Sequence, residues 1–345
     1  AKPVTHAAAK RSPCTRKLVL DLPIFTYKID RRIASLESET RMIDVCILGT
    51  GGMMPLPDRH LSSCMVRNEG RIALIDAGEG TQVAAQRYGW SLHDIDLILL
   101  THLHADHVMG LPGILATMSS QGRKDPITIV GPEHSLEVIQ CLCIVMPLAF
   151  RVNVLELPDV SEMHVGNLEV KAYPMDHDLP CFGYRFELQR QRKFLPEVAK
   201  ELGIPQALWS ELQAGKTVRK GLKRWKPDQV LGPERRGITL TFATDTRPND
   251  ALKEAAKDVD LLICEGIYGD EAKNEKALAN GHMSLWQGLE LAQTAGAHEI
   301  WFTHFSPSFK DQEDYAPLLK ERSAGLASFA YDGRKKTLEF PPDEA

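Results

Sequence analysis

The chain has 345 residues, of which 43% are apolar and 25% charged, and carries a formal net charge of −5. This ordinary globular composition fills one large domain or two small ones and contains no run near the ~18 apolar residues of a membrane span. Seven cysteines include no Cys-x-x-Cys, which excludes a thiolate zinc site or a disulfide framework and points to reduced thiols in the cytoplasm.

The acidic total argues against nucleic-acid binding by the whole surface, but the charge is uneven. Residues 185–236 hold thirteen Lys and Arg against six Asp and Glu, and residues 1–41 hold nine against four. A basic island on an acidic body fits a protein that grips a polyanion in one place; two solvated charge runs would give the same counts. Residues 1–41 have no acid before Asp21, no periodicity and no continuous apolar core of a secretory signal. They are expected to be a disordered extension outside the site.

Asp44–Leu48 predicts a strand running into Gly49-Thr-Gly-Gly52, a turn suited to close backbone approach. No Lys-Ser/Thr follows, so it is not a nucleotide phosphate loop. Arg59, in Pro55-Leu-Pro-Asp-Arg59-His60, reads equally as a phosphate contact or a surface arginine. Arg71–Ile75 predicts a strand and Thr81–Tyr88 a helix, with a turn from Asp76 to Gly80 between them. Leu97–Leu100 reads as a buried strand. His102, His104, Asp106 and His107 follow it directly. Four metal-capable side chains in six residues cannot all face one way from a strand, but a loop at its carboxyl end can gather them. Imidazole and carboxylate donors without thiolate suit a catalytic rather than a structural zinc.

Helices are expected over Leu111–Ser119 and over Ser135–Cys143, the latter capped by Ser135, and strands over Ile127–Val130, Val152–Leu157, Leu168–Tyr173 and onward from Gly183. Pro196–Leu202 and Gln206–Leu212 read as short helices, and Lys216–Lys226 places six cations around Trp225, which either stacks on a base or is buried. Strands Thr239–Ala243, Leu261–Cys264 and Ile300–Thr303 deliver Asp245, Glu265 and His304, and Gly281-His282-Met-Ser284 precedes a helix over Leu285–Thr294. His134, His164 and His298 fit no ligand spacing and read as surface or cap residues. Functional groups collected at strand ends, with helices between, suit a layered α/β architecture.

The run IDLILLTHLHADHVMG (95–110) resembles the metal signature of the metallo-β-lactamase superfamily. IDVCILGTGG (43–52), IDAGEGTQ (75–82), AYPMDHDLPCFGY (172–184), ATDTRP (243–248) and THFSP (303–307) are similar, in order, to the motifs of the ribonuclease Z family of tRNA 3′-processing endonucleases. Members begin near Ile43, which divides the chain into an extension, 1–41, and a folded domain, 42–345.

The resemblance implies an αββα four-layer sandwich with 189–236 as a protruding basic arm. It implies two Zn2+ ions, with Mn2+ as the alternative: one on His102, His104 and His177, the other on Asp106, His107 and His304, and Asp245 bridging. Asp76 would orient ligands from behind, and Asp176 and Asp178 would bond the other nitrogen of His177. The implied reaction is attack of a metal-activated hydroxide on precursor tRNA, with Asp106 taking the nucleophile's proton, His282 as general acid and Glu265 holding it. Arg59, Arg219, Lys220, Lys223 and Arg224 would bind substrate, and a homodimer is implied.

The chain departs from the family where Cys264 precedes Glu265 in place of a histidine, where Ser308-Phe309 replaces Arg-Tyr, and where the arm lacks its Gly-Pro core. Two other readings are a phosphodiesterase or arylsulfatase of the same fold acting on a small ester, and a non-catalytic RNA-binding protein.

Overall fold

A computed structural model describes residues 42–342. The strands are β1 (Ile43–Gly49), β2 (Ser63–Asn68), β3 (Arg71–Ile75), β4 (Ile95–Leu99), β5 (Ile127–Gly131), β6 (Val152–Glu156), β7 (Ser161–Val165), β8 (Leu168–Met175), β9 (Cys181–Arg190), β10 (Val218–Lys220), β11 (Lys223–Trp225), β12 (Arg235–Ala243), β13 (Leu261–Glu265), β14 (Ile300–Thr303), β15 (Ala327–Phe329) and β16 (Lys335–Leu338). The helices are α1 (Thr81–Arg87), α2 (Ala105–Val108), α3 (Leu111–Ser120), α4 (Ser135–Cys143), α5 (Pro196–Glu201), α6 (Trp209–Gln213), α7 (Asp250–Ala255), α8 (Asn274–Ala279), α9 (Leu285–Ala295) and α10 (Gln312–Arg322). The extension expected over 1–41 lies outside the described residues.

Alternation within the strands builds four layers. β1 sends Ile43, Val45 and Ile47 to one face and Cys46 and Leu48 to the other. The first set meets Phe186, Leu240, Phe242 and Trp301 from the second sheet, and this contact is the central core. The second set packs under α1, α3 and α4. On the far side, Leu262, Cys264, Ile300 and Phe302 pack under α7, α9 and α10. The sheets run β16-β1-β2-β3-β4-β5-β6 and β15-β14-β13-β12-β9-β8-β7. β3 to β6 pair in parallel, as do β12 to β15, so the carboxyl ends of β3, β4, β12, β13 and β14 can each deliver a polar residue to a common rim.

Sequence patterning does not reveal β2, whose Ser-Cys-Met-Val-Arg-Asn run shows no alternation because a strand between β1 and β3 is covered on both faces. Ser135 is not the cap of α4: His134 takes that position with φ 73°, and the Ser135 hydroxyl donates to the Pro132 carbonyl at 2.7 Å. His134, His164 and His298 are exposed. Cys46, Cys64, Cys181 and Cys264 are buried and free, whereas Cys141 is exposed. Among the described residues no helix is long and apolar enough to cross a membrane.

Residues 189–236 carry a small core of their own: Ala199, Ile204, Leu212, Val218, Trp225 and Val230. The cationic stretch is a β10–β11 hairpin, and of the two roles open to Trp225, burial holds, at 6% exposure.

The two sheets are also joined by a polar contact. Tyr184 of β9, fully buried, donates its hydroxyl at 2.6 Å to the carbonyl of Leu100, two residues before His102. Tyr184→Phe leaves that carbonyl short of a partner and is expected to lower stability by about 1–3 kcal/mol in urea unfolding.

Candidate metal centre

β4 is apolar and buried, so the first groups able to bind anything emerge where it ends. There Asp76, just past β3, accepts from the Thr101 amide (2.8 Å) and hydroxyl (3.0 Å) and, through its other oxygen, from His107 Nδ1 (2.7 Å). That last bond leaves His107 Nε2 aimed inward. α2 turns the chain so that His104, Asp106 and His107 converge.

His102 Nε2 and His104 Nδ1 lie 2.9 Å apart, and His104 Nδ1 and His177 Nε2 lie 3.3 Å apart. Asp245 Oδ2 is 3.3 Å from His107 Nε2, and its Oδ1 is 3.1 Å from His304 Nε2 and 3.8 Å from His102 Nε2. Asp106 Oδ2 is 3.6 Å from His107 Nε2. Ligands about 2.0–2.1 Å from a tetrahedral ion lie roughly 3.3 Å from one another, so these separations are those of side chains that can share an ion. His107 Nε2 and Asp245 Oδ2 face each other, buried, with no hydrogen-bond partner. The residues therefore fit a metal. The seven expected ligands are brought together, in overlapping groups His102–His104–His177, His102–His107–Asp245 and Asp106–His107–His304.

Electrostatics agree. Asp76, Asp106, Asp245 and Glu265 are largely buried, and the ion pairs they make are all with histidines. Burial works against the Asp245 charge, but His304, His107 and His102 outweigh it and hold the carboxyl well below its usual range. Asp106 is lowered for the same reason, by His107 and His304 against its burial. Burial also opposes a charged His107, yet Asp245 and Asp76 drive it well above the usual value, whereas burial and the neighbouring imidazoles keep His102 neutral.

His282 adjoins the cluster, its Nδ1 2.9 Å from Glu265 Oε2 and 3.7 Å from Asp245 Oδ1. Burial lowers it, but the Glu265 charge and hydrogen bond and the Asp245 charge prevail and push it up to about 9. Glu265 is fixed in turn by the Thr246 amide at 2.6 Å.

Several supports carry no sequence signal. Asp76, Asp245 and His304 adopt φ of 57°, 56° and 57°, a left-handed conformation uncommon outside glycine. Met53, at φ 72°, donates its amide to Asp106 Oδ2 at 2.6 Å. Asp332 accepts from the Thr50 amide (2.9 Å) and the His60 amide (2.6 Å), anchoring both ends of the loop that carries Met53. Gly281, at φ 79°, accepts from His177 Nδ1 through its carbonyl at 3.0 Å, and a Cβ there would lie 2.5 Å from that nitrogen.

One expectation needs correction. Asp176 and Asp178 do not bond His177; both pair with Arg247, because the His177 ring is turned toward Gly281. Of the two readings of Arg59, a free surface arginine does not hold: it is half-buried, donates to Gln312 Oε1 (2.8 Å) and lies over the Phe305 ring. Arg219, Lys220, Lys223 and Arg224 stand exposed on β10 and β11 and are not members of the metal-capable groups.

A Cβ at Gly52 would lie 2.6 Å from His304 Nε2. Gly52→Ala removes no donor but must displace that ring. It is expected to cut the metal retained per chain after dialysis, read by atomic emission, while the far-ultraviolet dichroism stays unchanged.

A sequence model described as anti-Pycsar protein Apyc1 matches residues 43–177, less than half of the chain and short of Asp245, His282 and His304. The ribonuclease Z of Lachnoclostridium phytofermentans is 43% identical over 305 residues, covering 88% of this chain and 100% of that protein. The ribonuclease Z of Lachnospira eligens is 43% identical over 301 residues, covering 87% of this chain and 99% of its own length. The crystal structure of human tRNase Z, short form, has a TM-score of 0.60 at 24% identity, covering 87% of this chain and 100% of that one, and carries the same fold. Identity of 43% over 87–88% of this chain and 99–100% of those relatives settles membership: the chain belongs to the ribonuclease Z family.

Proposed function

We propose that this protein is a metal-dependent endoribonuclease that removes the 3′ trailer from precursor tRNA and leaves a 3′-hydroxyl on the tRNA. The observation that carries the reading is the meeting of seven His and Asp side chains beside the His282–Glu265 pair, in a chain of the ribonuclease Z family.

The residues that would hold two divalent cations, zinc by the nature of the donors or manganese, are His102, His104 and His177 on one side and Asp106, His107 and His304 on the other, with Asp245 between. When bound, such ions supply a nucleophilic water and stabilise charge on the phosphoryl oxygens. The chain's own groups do the rest. Asp106, held as a carboxylate with the Met53 amide on Oδ2, is placed to take the nucleophile's proton. His282, charged by Glu265 through Nδ1, keeps Nε2 to protonate the departing 3′-oxygen. His104 and His177 lie on the more open side of the cluster, where a long substrate can approach.

The arm supports an RNA substrate over a small ester. Arg219 sits directly across from Arg224, and Lys220 from Lys223, all exposed. Like charges opposed across a hairpin repel, and phosphates threaded between them remove that repulsion while releasing counterions. The reading extends to a cytoplasmic homodimer in which one copy's arm presents tRNA to the other's site; sedimentation tests the pairing.

Incubation with a precursor tRNA and mapping of the cut is expected to give a tRNA ending in a 3′-hydroxyl. His104→Ala should lower the rate by more than the roughly 10–100-fold that loss of an outer partner costs, and His282→Asn by about 10²–10⁴-fold. Intact activity in His104→Ala would refute the site. Replacing Arg219, Lys220, Lys223 and Arg224 with Glu should raise KM for tRNA and flatten its salt dependence, while hydrolysis of bis(p-nitrophenyl) phosphate is retained. Loss of both activities together would remove the arm's assigned role.

A further inference from the structure

Asp245, His177 and His282 arrive on three separate loops, and their spacing depends on what ties those loops to one another. One side chain reaches all three. Arg247, two residues past Asp245, donates its backbone amide to the Asp176 carbonyl at 2.8 Å. Its Nη1 donates to Asp176 Oδ1 at 3.1 Å and its Nη2 to Asp178 Oδ1 at 2.8 Å, so the guanidinium straddles the loop on either side of His177. Its Nε donates at 2.7 Å to the carbonyl of Leu278, in the last turn of α8. That same carbonyl accepts from the Gly281 amide at 3.2 Å, and Gly281 bonds His177 and precedes His282.

We propose that Arg247 is a positioning residue, a forked brace that sets the separation of the His177 loop and the His282 turn from the loop bearing Asp245. The proposal deepens the endonuclease reading and rests on it for the roles of those groups. Its physical basis is a contrast between energy and geometry. The side chains of Arg247, Asp176 and Asp178 are 26%, 53% and 58% exposed, and ion pairs this open add little to stability. Catalytic groups, by contrast, must be held to within about 0.5 Å. A brace of this kind therefore affects turnover far more than unfolding. The chemistry also requires arginine: a planar fork addresses two carboxylates and a carbonyl at once, and the single ammonium of lysine cannot. An arginine acting instead as a contact to the substrate phosphate would make the opposite prediction, because lysine serves as a point charge and the loss falls on KM.

The test compares Arg247→Gln, Arg247→Lys and the double variant Asp176→Ala/Asp178→Ala with the unaltered protein. Each is assayed on precursor tRNA and on bis(p-nitrophenyl) phosphate, with Tm and with Co2+ binding to the metal-free protein followed by its visible spectrum. All three are expected to lose kcat about tenfold or more on both substrates and to bind Co2+ more weakly. KM should stay within about twofold and Tm within a few degrees. Adding the double variant to Arg247→Gln should bring no further loss, since those carboxylates act only through the Arg247 guanidinium.

Wild-type rates in Arg247→Lys, a change confined to KM, or multiplicative losses in the combined variant would each overturn the proposal. If Arg247→Gln fails to fold, the Asp176→Ala/Asp178→Ala protein decides, and unchanged turnover and Co2+ binding there overturn it. Failure of the unaltered protein to cut tRNA would sink the endonuclease reading alone, with the brace still judged on the small phosphodiester and on Co2+.

Discussion

A buried carboxylate with only imidazoles to balance it is the constraint that orders this molecule. Asp245 is 2% exposed and faces His102, His107, His282 and His304. Uncompensated charge in such a place costs several kcal/mol. The chain meets that cost with histidines that must either take up protons or share metal ions, and His107 Nε2 and Asp245 Oδ2, 3.3 Å apart without a hydrogen bond, fit the second arrangement better. A metal held there would stabilise the folded chain, because the site does not exist in the unfolded one.

Holding these groups also demands unfavourable backbone. Three of the site residues sit in left-handed conformations immediately after or near the end of a strand, each costing on the order of 1–3 kcal/mol. The two facing sheets absorb it. Trp301, Phe242, Phe186 and Tyr184 are essentially inaccessible to solvent between them, and removing one such aromatic costs about 3–5 kcal/mol. The centre is thus assembled by a rigid sandwich and finished by short connections: Asp76 behind His107, the Met53 amide on Asp106, and Asp332 closing the loop that carries Met53.

The arm follows a different logic. Its cations repel across β10 and β11, yet the hairpin is held by Trp225 and Val218 packing into a local core. Under the proposed function chemistry and grip are separated: a largely buried cluster would handle one phosphate, and an exposed basic strand pair would meet many. The small-ester reading accounts for the first of these features and leaves the second without a purpose.

What could be read from the sequence was whatever depends on short range. The apolar strands 71–75 and 300–303, the amphipathic helix from Leu285 and the histidine-rich run after β4 all announce themselves locally. His177, Asp245, His282 and His304 were identifiable only through a resemblance in their flanking motifs, since a lone histidine carries no signal of its own. Tertiary structure alone decided which way the rings turn. His177 bonds the Gly281 carbonyl rather than its neighbouring aspartates, Arg59 faces Phe305, and Asp332 reaches back across the chain to Thr50. The reason is physical: periodicity and propensity act over a few residues, whereas a side chain's partner is chosen by whatever distant segment the packing of the two sheets brings within 3 Å.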